Sequence, residues 1–201
     1  SVALSREYLR AFGAVAHHNI DKALLAAGEV EHRFGGGSVK RPMTLVIGDR
    51  ATYQVGDIRL PVSEIAVNTA KRWFRDHLRF VDPEEHVRYQ VELKPGSAAL
   101  RDIFQRKGAI LGANDTSAAV GYAPMTKTEE IVLSTEKFLN SPSFKKRFPE
   151  SGEDIKVMGL RVGNDLQLTI SIAFVDRFVE SENAYFGKKE EMLQEIEHFV
   201  D

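Results

Sequence analysis

Near the end of the chain Leu166, Leu168, Ile170, Ile172 and Phe174 alternate with Gln167, Thr169, Ser171 and Ala173. A period of two predicts a strand with one buried face. Gly163-Asn164 just before it is hairpin chemistry, and it pairs this strand with one running through Lys156 and Met158. Elsewhere the spacing is helical. Val62, Ile65, Ala66, Thr69, Ala70, Trp73, Phe74 and Leu78 follow the i, i+3, i+4 rule, which makes 61–78 the clearest helix, with Pro61 at its start. Ile131, Val132, Thr135, Phe138 and Leu139 form a second helical face behind a Thr126/Glu129 capping box, and Ser141-Pro142 opens a further short helix or turn. Residues 1–12 read as a helix through Leu4, Leu9 and Phe12, and Met192, Leu193, Ile196, Phe199 and Val200 lie on one face of a last helix.

Shorter runs complete the pattern. Lys22 to Val30 is an apolar run that reads as a buried strand, Arg33 to Ser38 as a loop, and Val39 to Gly48 as a second strand. Together they predict an antiparallel pair with a long connection. His86 to Leu93 reads as a strand, Pro95-Gly96 as a turn, and Ser97 as the cap of a short helix reaching about Arg106. Strand pairs followed by helices predict an α+β fold, with mixed or antiparallel sheets covered by helices.

Composition narrows the function classes. With 43% hydrophobic and 28% charged residues among 201, the chain is an ordinary globular mixture, not a disordered or low-complexity one. A formal charge of −2 argues against general nucleic-acid binding, and Lys71, Arg72, Arg75 and Arg79 read as the solvated face of a helix. The absence of cysteine excludes disulfides, thiolate metal sites and a cysteine nucleophile, and points to the cytoplasm. No apolar run approaches the roughly 18 residues of a membrane span, and no signal peptide opens the chain, so neither nucleic acid nor membrane is an expected partner. A start at Ser1 rather than Met reads as a processed or cut terminus.

Four stretches carry candidate chemistry. Gly108 to Ser117 sets Asn114, Asp115, Thr116 and Ser117 within one turn behind small residues. Such a loop suits the polar groups of a nucleotide or an amino acid, or is a plain turn between strands; it lacks the Gly-Lys-Ser/Thr of a P-loop. Phe34-Gly35-Gly36-Gly37-Ser38 is either an anion-wrapping nest of backbone N–H groups or a flexible hairpin loop. His17-His18-Asn19-Ile20-Asp21-Lys22 offers Asp21 or Asn19 to a hard cation, or a histidine satisfied in the core; adjacent histidines on a strand point to opposite faces, and no partner motif has zinc spacing. In Glu153-Asp154-Ile155-Lys156 the carboxylate and the ammonium share a strand face about 7 Å apart. Apolar Val157, Met158 and Leu160 predict burial of that strand, and a buried Asp and Lys would need a functional reason.

In this order the motifs resemble the archaeal type of S-adenosylmethionine synthetase (methionine adenosyltransferase). The resemblance rests on His17 to Lys22, on Phe34-Gly35-Gly36-Gly37 with Pro42 beyond, and on Gly48-Asp49-Arg50-Ala51. It continues through Gly112 to Ser117 with Gly121-Tyr122-Ala123-Pro124, Gly152 to Gly159, and Ala173-Phe174-Val175-Asp176-Arg177. It implies α+β units repeated about a pseudo-threefold axis, with 1–110 as part of the first unit or units and 111–201 as a further one. It implies an enzyme joining ATP and methionine, with Mg²⁺ and K⁺ offsetting phosphate charge, in a homodimer whose site lies at the subunit interface. By position it gives the substrate to Asn114, Asp115, Thr116, Ser117, Glu29, Gly35 and Gly36. The catalytic pair would be Asp154, at the ribose or methionine end, and Lys156, on the leaving phosphate; Asp21, as the metal ligand, and His18 would stand at the cation or substrate edge. The family's N-terminal His-Pro-Asp segment and C-terminal glycine-rich region have no counterpart here, so the resemblance implies a central, inactive portion. The alternative is a non-catalytic nucleotide-binding or dimerisation module.

Overall fold

The structure is a computed structural model, and it describes residues 1–96 and 120–200. The described residues fall into two compact units, one within Ser1–Glu29 and Val39–Ala118, the other within Val30–Ser38 and Ala119–Asp201. The expected helix from Ser97 to about Arg106 lies outside the described residues.

The first unit opens with helix α1 (Val2–Phe12), closed by Gly13 in the left-handed region, whose N–H bonds Leu9 O at 3.1 Å. Strands β1 (His18–Ala26) and β4 (Met43–Ala51) pair antiparallel, and β7 (Val87–Lys94) adds parallel to β4, giving the order β1-β4-β7. The predicted strand from Val39 to Gly48 is broken: β3 (Ser38–Arg41) pairs instead with β2 (Glu29–Glu31). Pro42 stands at the break, without an N–H to continue a ladder. A small ribbon, β5 (Gln54–Val55) with β6 (Ile58–Arg59), leads to α2 (Val62–His77) behind Pro61. Leu4 and Tyr8 of α1, Val62 of α2 and Ile47, Ala51 and Leu93 of the sheet form the core. On the outside of α2, Lys71 and Arg75 both pair with Glu84, at 2.5 and 2.8 Å.

In the second unit α3 (Lys127–Leu139) begins with the predicted capping box: Thr126 Oγ1 accepts from Glu129 N at 3.3 Å, and Glu129 Oε2 accepts from Thr126 N at 2.8 Å. Ser141 Oγ accepts from Phe144 N at 3.2 Å and starts the short α4 (Pro142–Arg147). The antiparallel hairpin β8 (Ser151–Val162) and β9 (Asp165–Phe174) follows, then a 3₁₀ turn (Asp176–Phe178) and α5 (Glu182–Val200). Leu139, Phe144, Phe148, Met192 and Ile196 make its core, with Ile155, Val157, Ile170, Ile172 and Phe174 packed against it. The α5 face is narrower than its spacing predicts: Met192 and Ile196 are buried, whereas Leu193, Phe199 and Val200 are exposed. The expected burial of β8 on both faces is corrected as well. Its exposure alternates, with Asp154, Lys156, Met158 and Leu160 all open. Met158 and Leu160 share the polar pair's face and are exposed with it, so their apolar character does not mark a buried strand here.

Candidate functional site

In the first unit two motifs meet across a strand pair. Asn19 faces Arg50 and Lys22 faces Gly48, so Ile20 and Asp21 together oppose the single residue Asp49. That is a β-bulge, which re-aims side chains. Asp49 has φ +91°, the left-handed side that a residue with a Cβ rarely adopts. Ile20 packs onto the core, while the polar groups collect outside. Asp49 Oδ2 accepts from Asn19 Nδ2 at 3.2 Å and from Lys22 Nζ at 3.5 Å, and Asp21 Oδ1 accepts from Lys22 Nζ at 2.6 Å. The Lys22 ammonium holds the Asp21 carboxyl below its ordinary value, with a hydrogen bond shared with Asp49 adding to the effect. In return Asp21 pushes Lys22 up.

The flanking histidines are built into the fold. His18 has Ser5 Oγ at 3.2 Å from Nε2 and Ala16 O at 3.0 Å from Nδ1. His17 is buried, its carbonyl accepts from Thr52 Oγ1 at 2.8 Å, and burial first, then His18, pushes its ring below the usual histidine value. Among the described residues no group of three His, Asp or Glu side chains is placed to hold a metal ion. Asp21 and Asp49 are hard oxygen donors, but the Lys22 ammonium already contacts both, so a metal cation does not fit there with Lys22 in place.

In the second unit Lys156 Nζ donates to both carboxylate oxygens of Asp154, at 2.7 and 2.6 Å. Their side chains are 69% and 65% exposed, so the pair stands on the open face of the hairpin with its charges in water. In the glycine loop Gly35 N–H donates to Val179 O at 2.7 Å, Gly36 N–H to Arg33 O at 3.1 Å, and Gly37 N–H to Asp176 Oδ2 at 2.8 Å. All three donors thus have protein acceptors; those of Gly35 and Gly37 bind the loop to the turn after β9, that of Gly36 lies within the loop, and no nest of the kind the triple glycine suggests is left. A Cβ on Gly37 would sit 2.0 Å from Glu31 O, so only glycine fits there.

Glu29, at the start of β2, accepts from Arg41 Nε at 2.6 Å. Asn114, Asp115, Thr116 and Ser117 lie outside the described residues. The structure therefore gathers Asn19, Asp21, Lys22 and Asp49 in one unit and Asp154 with Lys156 in the other. Asp49 received no role from the sequence, although it sits in a motif that carries the resemblance; the bulge that joins it to Asn19 depends on strand register.

These features define an α+β protein whose exposed charged pairs sit at sheet positions. The family model described as S-adenosylmethionine synthetase matches residues 1–201, and the chain belongs to that family. A probable S-adenosylmethionine synthase of Aquifex aeolicus is 46% identical over 203 residues, covering 100% of this chain and 51% of the relative. The S-adenosylmethionine synthase of Pyrococcus furiosus is 43% identical over 100% of this chain and 50% of its own length. That of Pyrobaculum neutrophilum is 42% identical over 96% and 50%. The chain spans about half the length of the curated relatives it matches.

Proposed function

We propose that this chain forms part of a methionine adenosyltransferase, the activity in which methionine sulfur attacks C5′ of ATP and tripolyphosphate leaves. The tripolyphosphate is then split into pyrophosphate and phosphate. The observation that carries the reading is the family match over the whole chain, with Asp154 and Lys156 held together on an open strand face at the positions the resemblance marks. Sulfur is already a good nucleophile, so the residues have to position and neutralise rather than abstract a proton. Lys156 would leave Asp154 to meet the oxygens of the leaving phosphate, and Asp154 would then be free for the ribose hydroxyls or the methionine ammonium. Lys22, Asn19, Asp21 and Asp49 offer a second set of polar groups of both signs, suited to a zwitterionic amino acid. Asn114, Asp115, Thr116 and Ser117 stay part of the substrate loop in this reading, and Glu29 would serve only by leaving Arg41.

Mg²⁺ and K⁺ enter as the family implies, supplying charge neutralisation on the phosphates; no step is assigned through them. A homodimer with a shared site, located in the cytoplasm, completes the proposal. The open face carrying Met158 at 61% and Leu160 at 55% exposure supports a partner surface.

The test is S-adenosylmethionine formation from ATP and methionine by the full-length protein. Activity that Asp154→Asn and Lys156→Met each lower at least about a hundredfold supports the proposal. Activity unchanged in both variants overturns these assignments. No activity together with no ATP binding favours the dimerisation module.

A further inference from the structure

The glycine loop has a consequence beyond its own anchoring. By binding the loop to the turn after β9, the Gly35 and Gly37 hydrogen bonds hold Phe34 beside Asp176. The result is a hollow of about 280 Å³ lined by His32, Arg33, Phe34, Phe174, Asp176, Val179 and Tyr185. All of these belong to the second unit.

Its chemistry is uneven. Four of its lining residues carry rings, His32, Phe34, Phe174 and Tyr185, and the rings of Phe174 and Tyr185 meet edge to face at 5.2 Å. Val179 is buried and forms an apolar base, while Phe34 is 57% exposed and forms the lip. The Asp176 carboxylate lines the hollow and takes its backbone hydrogen bond through Oδ2. The one cationic side chain in the lining, Arg33, is drawn onto Glu31 through Nε at 3.1 Å and a second, closer N–H contact. Its charge is therefore offset within the loop. What remains is a lining of ring-bearing residues with one carboxylate-bearing residue, a set that favours a cation with an apolar outer shell. A phosphate or carboxylate ligand would be repelled by Asp176.

We propose that the hollow between Phe34 and Asp176 binds a small alkylated ammonium ion. The rings accept the alkyl shell and Asp176 supplies the countercharge. The hollow shares no lining residue with Asp154 and Lys156, and its test reads ring shifts rather than adenosyltransferase activity.

Tetramethylammonium is the probe, titrated into the full chain while the ring protons of Phe34, Phe174 and Tyr185 are followed by nuclear magnetic resonance. Saturable shifts at these rings are expected, with neither tert-butanol nor adenosine displacing the ion. Asp176→Asn keeps an oxygen for the Gly37 N–H but removes the charge, and it should weaken binding about tenfold or more. Phe34→Leu, at an exposed position that leaves the backbone bonds intact, should weaken it severalfold. Circular dichroism and the Gly37 amide shift confirm that each variant keeps the loop in place. An absence of ring shifts, equal binding of tert-butanol, or unchanged affinity in Asp176→Asn overturns the proposal. Displacement by adenosine would make the hollow a nucleobase site and overturn it too.

Discussion

Asp49 reaches Asn19 across the β1–β4 pair, Oδ2 accepting from Nδ2 at 3.2 Å, at the one non-glycine position among the described residues with a positive φ. Neither residue could make this contact in a regular ladder, because Asn19 faces Arg50. The bulge that admits Ile20 and Asp21 opposite Asp49 brings the carboxylate round. A strained backbone at a polar cluster is the kind of local cost that function retains.

Asp49→Gly tests that cost directly. Removing the Cβ relieves about 1–3 kcal/mol of strain. The looser unfolded chain takes back about 0.4–1 kcal/mol. A net gain of about 1 kcal/mol is expected in urea unfolding of the chain, alongside weaker methionine binding by the full-length protein. A lower unfolding midpoint for Asp49→Gly would show that the bonds from Asn19 and Lys22 outweigh any strain at φ +91°.

Asp154 and Lys156 should behave in the opposite way. Two exposed charges in a surface pair contribute little to stability, so Lys156→Met should move the unfolding free energy by no more than about 0.5 kcal/mol. If the ammonium stabilises the departing phosphate, kcat should fall by about two to three orders of magnitude while KM for methionine changes far less. A large loss of stability in Lys156→Met would mark the pair as structural.

The local signals were legible. The Thr126/Glu129 capping box and the alternation from Leu166 to Phe174 act over a few residues, and both appear as the sequence predicts. Features set by register or by distant contacts were not. The Asn19–Asp49 contact needs a two-against-one bulge that no spacing rule encodes. Gly37 N–H finds its acceptor 139 residues away, so the triple glycine reads as a ligand loop until Asp176 is placed beside it. Met158 and Leu160 suggest a buried strand because sequence does not show that β8 pairs only with β9 among the described residues. The Asn114–Ser117 loop, which carries much of the resemblance, lies outside the described residues.

Glu150 is a buried carboxylate at the entry to β8, only 1% exposed. Its backbone oxygen accepts from Val175 N at 2.7 Å, and its side chain pairs with Lys188 of α5 at 3.4 Å. Lys145 of α4, also buried, donates to Ser151 Oγ at 3.0 Å and Gly152 O at 2.6 Å next to it. Removing the carboxylate leaves Lys188 without this countercharge and opens a space at a fully buried position. Glu150→Ala should therefore cost about 3 kcal/mol or more, and Glu150→Gln less, since it keeps the volume. Urea denaturation of both variants checks the order, and a neutral Glu150→Ala would remove Glu150 from the interactions that tie β8 to α5.

Tyr8 fastens α1 to the end of β4, close behind the polar cluster. Its hydroxyl donates to Thr52 O at 2.7 Å and accepts from Thr52 N at 2.9 Å, and the residue is fully buried. Burial pushes its phenol up to about 12, from an ordinary value of 10.0, although the bond from the Thr52 N–H, which favours the phenolate, acts the other way. The folded protein thus holds the phenolic proton more tightly than the unfolded chain. The corresponding stability is complete below pH 10 and is lost as pH rises through about 12, an amount of about 3 kcal/mol for a shift of this size. Tyr8→Phe leaves both Thr52 backbone groups without this partner and should cost about 2 kcal/mol near neutral pH. The gap between wild type and Tyr8→Phe should then narrow between pH 10 and 12, because only the wild type has this proton to lose. Unfolding free energies measured in parallel across that range decide it: a gap that stays constant would mean that Tyr8 titrates alike in the folded and unfolded chains.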